Sequence, residues 1–168
     1  MLMASPIQLA ALKNVAPAAQ VCAQQWGVPA SVTLAQWIYE STWGTSQLAR
    51  EANNYFGIKA VPSEAYMEFP THEVVQGRSV LEMAKFASYG TMFESFAAHG
   101  KLLASLSRYA PAMLFAKQPT TFAVALQRCG YSTSPTYAAR LQIAMRDYNL
   151  QQYDTPPPAQ PAMAQEAA

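Results

Sequence analysis

The chain has 168 residues, of which 51% are hydrophobic and 12% are charged, and its formal net charge is +1. A chain of this length forms one domain with a real core, and its low charged fraction means that apolar packing must stabilise it. The charge argues against a nucleic-acid-binding protein, which carries a basic excess, and gives no strong attraction to an anionic membrane. Two histidines and two cysteines, without an HExxH or CxxC motif, argue against a metal site, and no cofactor is expected.

The first third of the chain carries helical signals. The serine–proline pair at residues 5–6 is typical of a helix start, and the apolar residues that follow predict a helix ending at Gly27. Pro17 is expected to kink or split this helix. A second helix is predicted over about 29–43, and a short third helix over 47–51, capped by the preceding serine.

The middle of the chain changes pattern. Residues 53–57 are typical of a turn. Segments 73–75 and 78–80 flank Gln76 and Gly77, which predicts a small β-hairpin. This hairpin is the only strand signal, so we expect a small sheet.

Helical periodicity returns after residue 90. Thr91 and Glu94 have the spacing of a capping box, in which each side chain bonds the other residue's backbone. Two further helices are predicted over about 120–128 and 135–148, and Ser134 is expected to cap the second. The predicted fold class is mainly α, a helical domain with a small β-hairpin lobe.

The composition also predicts the domain organisation. Residues 1–154 are expected to form one domain, and the Pro/Ala/Gln-rich residues 155–168 a disordered tail. The N-terminal residues carry no basic segment before an apolar stretch, so we expect neither a signal peptide nor a membrane span. Cys22 and Cys129 are either small core residues or a disulfide, and their spacing does not decide between the two.

Carboxylate chemistry in the body of this domain must use glutamate, because no aspartate precedes Asp147. Glu40 lies near the end of an apolar helix, with Gln36 on the same helical face and Trp37 and Trp43 nearby. A carboxyl group walled by aromatic rings loses hydration, which raises its pKa and keeps it protonated as a general acid requires. The alternative is an ordinary solvated surface glutamate.

Glu73, on the predicted hairpin, is the second candidate. A glutamate on a lobe above a cleft can activate water or stabilise positive charge on a sugar ring. An exposed strand glutamate is the alternative, and Glu68 is a rival at a nearby position. Aromatic residues that could stack on sugar rings, or simply form the core, are Tyr39, Trp43, Tyr55, Phe56, Tyr131 and Tyr137.

Three segments carry a family resemblance. Residues 40–49 read ESTWGTSQLA and residues 52–59 read ANNYFGIK. They resemble the E-S-x-W-G-x-S-x-L-A and A-N-N-x-F-G-I-K motifs of glycoside hydrolase family 73, the bacterial endo-β-N-acetylglucosaminidases. Residues 130–138, which read GYSTSPTYA, are similar to the G-Y-A-T-D-P-x-Y-A segment of that family. The resemblance extends over about 29–153.

The resemblance implies a lysozyme-like helical fold and hydrolysis of the β-1,4 bond between N-acetylglucosamine and N-acetylmuramic acid in peptidoglycan. By position, Glu40 matches the family's essential acid, Glu73 its lobe glutamate and Tyr131 a tyrosine associated with the active site. The residues expected to bind substrate or shape the cleft are Gln36, Trp43, Asn53, Asn54, Tyr55, Phe56 and Tyr137.

The sequence departs from the family pattern at two positions. Ser134 replaces the usual aspartate, although serine keeps the ability to cap a helix. Trp37 replaces a typically small residue, which is expected to narrow a subsite. The export signal and wall-binding repeats common in relatives are also not recognisable.

Several alternatives remain open at this stage. Water could be activated by Glu73, giving inversion, or the acetamido group of the substrate could assist. The same scaffold could act as a muramidase or a lytic transglycosylase, or be a catalytically silent module that binds the wall.

The expected partner is the glycan strand of peptidoglycan, bound by a monomer. We expect synthesis in the bacterial cytoplasm without a signal peptide, and action in the periplasm or cell wall after non-classical delivery. The routes considered are release as a phage lysin, export with a surface appendage, and delivery as a secreted effector, which would imply an immunity protein.

Overall fold

The structure is a computed structural model that describes residues 4–75 and 78–155. For residues 72–79 no side chain is described. The predicted tail therefore lies outside the described residues except for Thr155. The helices and strands in chain order are α1 Pro6–Trp26, α2 Ala30–Glu40, α3 Gln47–Ala52, β1 Tyr66–Val75, β2 Arg78–Ala87, α4 Met92–Ser105, α5 Ala110–Met113, α6 Pro119–Arg128 and α7 Tyr137–Asp147. Short 3-10 helices span Ser107–Tyr109 and Leu150–Tyr153. The predicted class, a mainly helical domain with a small β-hairpin lobe, is confirmed.

Helix α2 lies at the centre of the domain. Every residue from Ala30 to Ile38 is buried, so the helix has no solvated face over that length. It packs against α1, α6, α7 and the 3-10 helix Leu150–Tyr153. A helix buried on all sides is held by the core around it, and its C-terminal end is therefore fixed in position.

Helix α1 begins and ends where the sequence indicates. Ser5 accepts a hydrogen bond from the Gln8 N–H, and the Gln8 side chain accepts one from the Ser5 N–H, which forms a complete capping box. The helix ends at Gly27, which has a φ of +71°. It is not split at Pro17: the proline lies on the exposed face, and buried alanines on either side pack the helix against the core.

The hairpin is longer than predicted. Its strands pair antiparallel in one register from Tyr66 opposite Ala87 to Val75 opposite Arg78. Phe69 and Phe86 of the lobe form a small apolar cluster with Ala52 of α3, separate from the main core. Pro70 lies inside β1, where a proline is tolerated because each strand of a two-stranded sheet has an unpaired edge.

The N-terminal caps of α4 and α7 differ from the predicted ones. Thr91 caps α4 by accepting from the Glu94 N–H, but the Glu94 carboxylate accepts from the Gly90 N–H at 2.9 Å and not from Thr91. Helix α7 begins at Tyr137, two residues later than predicted, and Ser134 is not its cap. The Ser134 side chain instead bonds to Thr136, and its carbonyl oxygen accepts from the Tyr137 N–H.

The two cysteines are both free. Cys22 is buried in the core, where burial raises the pKa of its thiol to about 12. Cys129 is half-buried beside the core. Among the described residues, no helix combines the length and hydropathy needed to cross a membrane.

Gly100 allows α4 to pack closely on α1. A Cβ atom at this position would lie 2.5 Å from Cys22 Sγ and 2.7 Å from a ring carbon of Trp26. Helical propensity alone favours alanine over glycine by about 0.5–1 kcal/mol. The steric overlap and the propensity therefore predict opposite signs for a substitution to alanine.

We expect Gly100→Ala to lower the free energy of unfolding by about 1–3 kcal/mol, because overpacking outweighs helical propensity. Urea-induced unfolding followed by circular dichroism measures the change. Lys101→Ala, at the next and exposed position of α4, is the matched control and should shift stability by less than about 0.5 kcal/mol. A Gly100→Ala protein as stable as the parent would contradict the close contact.

His99 is a buried titratable group on the same helix. Its side chain is 1% exposed and burial lowers its pKa to about 3. In the unfolded chain the imidazole pKa is about 6.5, so the unfolded state binds the proton more tightly. Protonation of His99 therefore favours unfolding.

We expect His99 to make the protein less stable as the pH falls from about 6.5 towards about 3. His99→Gln should lose less stability over this range, because glutamine does not titrate. The measurement is urea-induced unfolding of both proteins at about pH 7 and about pH 4.5. An equal loss of stability in both would show that His99 is already solvated in the folded protein.

Candidate active site

The first feature of the site is the end of α2. Glu40 is the last residue of the helix, three residues earlier than predicted, and Ser41 is its C-cap. The Ser41 hydroxyl donates to the Trp37 carbonyl and accepts a hydrogen bond from the Gly44 N–H at 2.8 Å. This serine therefore ends the helix and holds the turn that follows it.

The turn after Glu40 consists of left-handed residues. Thr42, Trp43 and Gly44 have φ values of +51°, +60° and +76°. A Cβ atom on Gly44 would also lie 3.3 Å from the Trp37 ring. Both the conformation and the contact require glycine here. The turn directs the chain away from α2 and leaves the Glu40 side chain at the surface.

Asn54 organises the loop that forms one wall of the site. It is buried, and its amide nitrogen donates to the carbonyl oxygens of Ile58 and Ala87 at 2.8 and 2.9 Å. Its amide oxygen accepts from the N–H groups of Phe56 and Ile58. One side chain thus fixes the loop against the base of the hairpin.

A cleft of about 450 Å³ lies between this loop and the helical body. We call it the main cleft. Both polar and aromatic groups line it, with Glu40 among them. The lining residues are Glu40, Phe56, Gly57, Ile58, Lys59, His99, Leu102, Arg108, Tyr109, Tyr131, Ser132 and Thr133.

A second cavity of about 190 Å³ adjoins the same glutamate. We call it the side pocket. Its lining residues are Tyr39, Glu40, Ser132, Ser134, Tyr137 and Arg140. Glu40 and Ser132 line both cavities, so the carboxyl group lies at the junction between them.

The environment of Glu40 favours its protonated form. The side chain is exposed towards the cleft, yet the surrounding protein removes enough water to raise the pKa of the carboxyl group, and the Arg140 guanidinium partly opposes this. The negative end of the α2 dipole disfavours the carboxylate as well. A glutamic acid of this kind can donate a proton at a higher pH than a solvated one.

Tyr131 lies in the main cleft against His99. Its hydroxyl oxygen is 3.4 Å from His99 Nε2, and the His99 ring stacks on Phe56 with a centroid separation of 4.0 Å. Burial raises the pKa of the Tyr131 phenol well above its ordinary value, and the nearby Tyr137 and Glu40 raise it further. The phenol therefore keeps its proton and can act as a hydrogen-bond donor.

Gln36 and Tyr137 form a buried pair behind the cleft. Gln36 is fully buried and its amide nitrogen donates to the Tyr137 hydroxyl at 2.8 Å. The Tyr137 ring in turn stacks on Tyr131, with centroids 5.4 Å apart. The structure therefore places Gln36 below the surface of the site, where it supports Tyr137, and places Tyr137 in the wall of the side pocket.

Other predicted binding residues lie behind the site. Trp43 packs edge-on against Trp37 and Tyr148, and lines neither cavity. Trp37 is buried in the core and narrows neither cavity. Tyr55 packs on the main core, and the Asn53 side chain donates to the Tyr89 carbonyl at 3.0 Å. Of the loop residues predicted to bind substrate, Phe56 is the one that lines the main cleft.

Glu73 lies in β1, paired with Val80 of β2. Its side chain is outside the described residues, so its role stays a prediction. Glu68, its rival, is exposed on the same strand and lines neither cavity.

Several lining residues were not singled out from the sequence. Ser132 and Thr133 lie in the family-like segment 130–138, which was a usable signal. Arg140 follows Tyr137 by three positions, and this helical spacing places both on one face of α7. Arg108 lies in a stretch without clear periodicity, and no sequence signal indicated it.

The described part of the chain holds no group of three or more histidine, cysteine, aspartate or glutamate residues that could bind a metal ion. The arrangement is instead a carboxyl group whose pKa is raised by burial, with phenol and hydroxyl groups beside it, in an open cleft with aromatic walls. Such a site is suited to acid-catalysed cleavage of a glycosidic bond.

Comparison with known proteins agrees with this chemistry. Residues 16–150 match the glucosaminidase family model, described as mannosyl-glycoprotein endo-β-N-acetylglucosaminidase. The chain is 38% identical over 141 residues to exo-glucosaminidase LytG of Bacillus subtilis strain 168, covering 81% of this chain and 50% of LytG. It is 38% identical over 129 residues to peptidoglycan hydrolase FlgJ of Salmonella typhimurium, covering 73% of this chain and 40% of FlgJ.

A third relative carries a different activity in its name. A probable N-acetylmuramidase of Lactococcus lactis subsp. lactis is 31% identical over 149 residues, covering 85% of this chain and 34% of that protein. The chain thus spans half or less of the length of each of these three curated relatives.

Solved structures show the same fold. The catalytic domain of the autolysin Auto from Listeria monocytogenes superposes with a TM-score of 0.79 at 27% identity, covering 91% of this chain and 90% of that one. A chain of a type VI secretion system effector–immunity complex from Pseudomonas protegens superposes with a TM-score of 0.51 at 25% identity, covering 86% and 94%. Together with the family-model match over most of its length, these similarities show that the chain belongs to the glucosaminidase family, glycoside hydrolase family 73.

Proposed function

We propose that this domain is an endo-β-N-acetylglucosaminidase that hydrolyses the β-1,4 bond between N-acetylglucosamine and N-acetylmuramic acid in peptidoglycan. The observation that carries the proposal is the place of Glu40 at the junction of the main cleft and the side pocket. A general acid must reach the oxygen that joins two sugars, so it must lie between their subsites. Space on both sides of Glu40 also favours cleavage within a strand.

In this proposal Glu40 protonates the leaving oxygen. The raised pKa of its carboxyl group supports the role, because the acid must carry its proton at the working pH. The buried helix behind Glu40 supports it as well, since a fixed acid needs little reorganisation before it donates. Tyr131 is proposed to donate a hydrogen bond to the sugar next to the cleaved bond, from its position in the main cleft.

The second catalytic group is proposed to be Glu73, acting as a base on water from the hairpin lobe. The position of Glu73 within β1 supports this, since the lobe joins the main cleft through the bridge between Lys59 and Phe86. The competing mechanism uses the acetamido group of the substrate as the nucleophile. The two mechanisms make different predictions for the same substitution.

The catalytic domain is proposed to comprise residues 1–154, with residues 155–168 as a tail. The family match over residues 16–150 supports the core of this division. Contacts near the end of the described chain support it too: Asp154 accepts a hydrogen bond from the Ser31 N–H at 2.8 Å, and the Thr155 carbonyl oxygen accepts one from the Gln20 side chain at 2.9 Å. Asp154 therefore ties the end of the domain to the start of α2.

A muramidase is the second candidate activity, favoured by the similarity to the probable N-acetylmuramidase. It would use the same acid, but the bond on the other side of N-acetylmuramic acid would be cut. A lytic transglycosylase would leave an anhydro end on the product. The chemical identity of the new end separates all three.

We expect Glu40→Gln to reduce hydrolysis of purified peptidoglycan by about 100- to 10,000-fold, because glutamine cannot donate the proton. Mass spectrometry of the released muropeptides should show reducing-end N-acetylglucosamine from the parent protein. Reducing N-acetylmuramic acid would establish the muramidase, and anhydro ends the transglycosylase. Lack of cleavage by the parent on walls from several bacteria would favour a binding module.

Two controls accompany this substitution. Glu51→Gln removes an exposed carboxylate from α3, away from both cavities, and should leave hydrolysis unchanged. The unfolding free energy of Glu40→Gln at neutral pH should equal or exceed that of the parent. The raised pKa means that the ionised form of Glu40 destabilises the folded state, and glutamine removes that charge.

For Glu73→Gln we expect a loss of about 100-fold or more in kcat if Glu73 is the base. An enzyme that relies on the acetamido group should lose much less. Single-turnover hydrolysis of a soluble peptidoglycan fragment measures the step directly. Glu68→Gln on the same strand is the matched control, and a larger loss in that variant would reassign the base to Glu68.

We further propose action in the periplasm or cell wall, with an immunity protein as a partner. The similarity to a chain of a type VI effector–immunity complex supports a partner of this kind. The parent and Glu40→Gln proteins provide the cellular test. Parent protein fused to an export signal should lyse a Gram-negative host, whereas the exported Glu40→Gln protein should not.

A further inference from the structure

We propose that the side pocket binds a carboxylate of the muramic acid unit on the leaving-group side, through Arg140, and so makes the enzyme selective for acidic peptidoglycan over neutral glycans. The inference rests on the proposed function, because it assigns one part of the substrate to one side of Glu40. Two substrate groups supply this chemistry: the lactyl carboxylate of a peptide-free muramic acid, and the carboxylates of an attached stem peptide.

Arg140 is placed for such a contact. Its guanidinium lies over the Tyr39 ring at 4.5 Å from the centroid, and the residue is exposed in the side pocket. Among the described residues, no carboxylate lies within the ion-pair distance of 4.0 Å of Arg140. Stacking on Tyr39 orders the side chain while leaving its N–H groups available for an anion.

The neighbouring hydroxyl groups complete an anion-binding surface. Ser132 Oγ accepts a hydrogen bond from the Ser134 N–H, and among the described residues its own hydroxyl proton has no acceptor. The Tyr137 hydroxyl is held by Gln36 at the inner wall of the pocket. A carboxylate entering the pocket would therefore meet one cation and at least one hydroxyl donor.

Size and polarity identify the part of the substrate that fits. The side pocket has a volume of about 190 Å³, which is too small for a disaccharide and suits part of one sugar unit together with its substituent. Glu40 borders the pocket, and burial raises the pKa of its carboxyl group, so it ionises beside Arg140 less readily than a solvated glutamate would. Muramic acid differs from N-acetylglucosamine by its acidic lactyl substituent, and this group matches the pocket in size and charge.

The test measures binding in the Glu40→Gln background, so that no ligand is cleaved. Isothermal titration calorimetry compares three soluble tetrasaccharides: a neutral N-acetylglucosamine oligomer, a peptide-free peptidoglycan fragment with lactyl carboxylates, and a fragment with acidic stem peptides. Adding Arg140→Met should weaken binding of a carboxylate-bearing fragment by about tenfold or more, with little effect on the neutral oligomer. Arg146→Met, on the exposed end of the same helix, is the matched control and should change none of the affinities.

Each outcome is decisive. If Arg140→Met weakens binding of the peptide-free fragment alone, the pocket binds the lactyl carboxylate. If it weakens binding of the stem-peptide fragment alone, the pocket binds a peptide carboxylate. Weaker binding of both fragments shows that the pocket accepts either carboxylate. An equal loss with the neutral oligomer would mean that Arg140 acts by packing on Tyr39, and no loss with any ligand would also overturn the inference. If the Glu40→Gln protein binds none of the three, the proposed function fails with it.

Discussion

The burial of α2 on every side is the constraint on which the site depends. Because residues Ala30 to Ile38 contact the core all round, the helix cannot rotate or slide without disrupting packing on several neighbours. Its last residue, Glu40, is therefore presented at one fixed point. Ser41 ends the helix there, and the left-handed turn that follows directs the chain away from α2. The position of the acid follows from the core and not from contacts of its own.

Two of the buried polar atoms without hydrogen-bond partners in the described part of the chain lie behind the cleft. Among the described residues, Gln36 Oε1 and His99 Nδ1 are buried without a hydrogen-bond partner. Both residues hold a tyrosine of the site: Gln36 bonds Tyr137, and His99 contacts Tyr131. Buried polar atoms without partners cost stability. This loss of stability occurs where the side chains of Tyr131 and Tyr137 are oriented. Active sites commonly lower stability in this way.

Sequence patterns predicted the parts of the structure that depend on local signals. The caps at Ser5 and Gly27 and the helical class followed from spacing, and the presence of Glu40, Phe56 and Tyr131 in one cleft followed from the family resemblance. The end of α2 did not, because Thr42 and Trp43 adopt left-handed conformations that non-glycine residues rarely show. Arg140 and Ser132 were not predicted for another reason. Their place in the side pocket depends on the packing of α7, and local periodicity does not indicate which elements pack together.

The hairpin lobe has a small apolar cluster of its own, against α3 and apart from the main core. This separation has an evolutionary meaning. Substitutions in the lobe can accumulate without disturbing the helix that carries the acid, whereas changes around α2 displace the acid at once. Exposed lobe residues such as Leu81 and Met83 are therefore positions where a substitution leaves the packing around α2 unchanged.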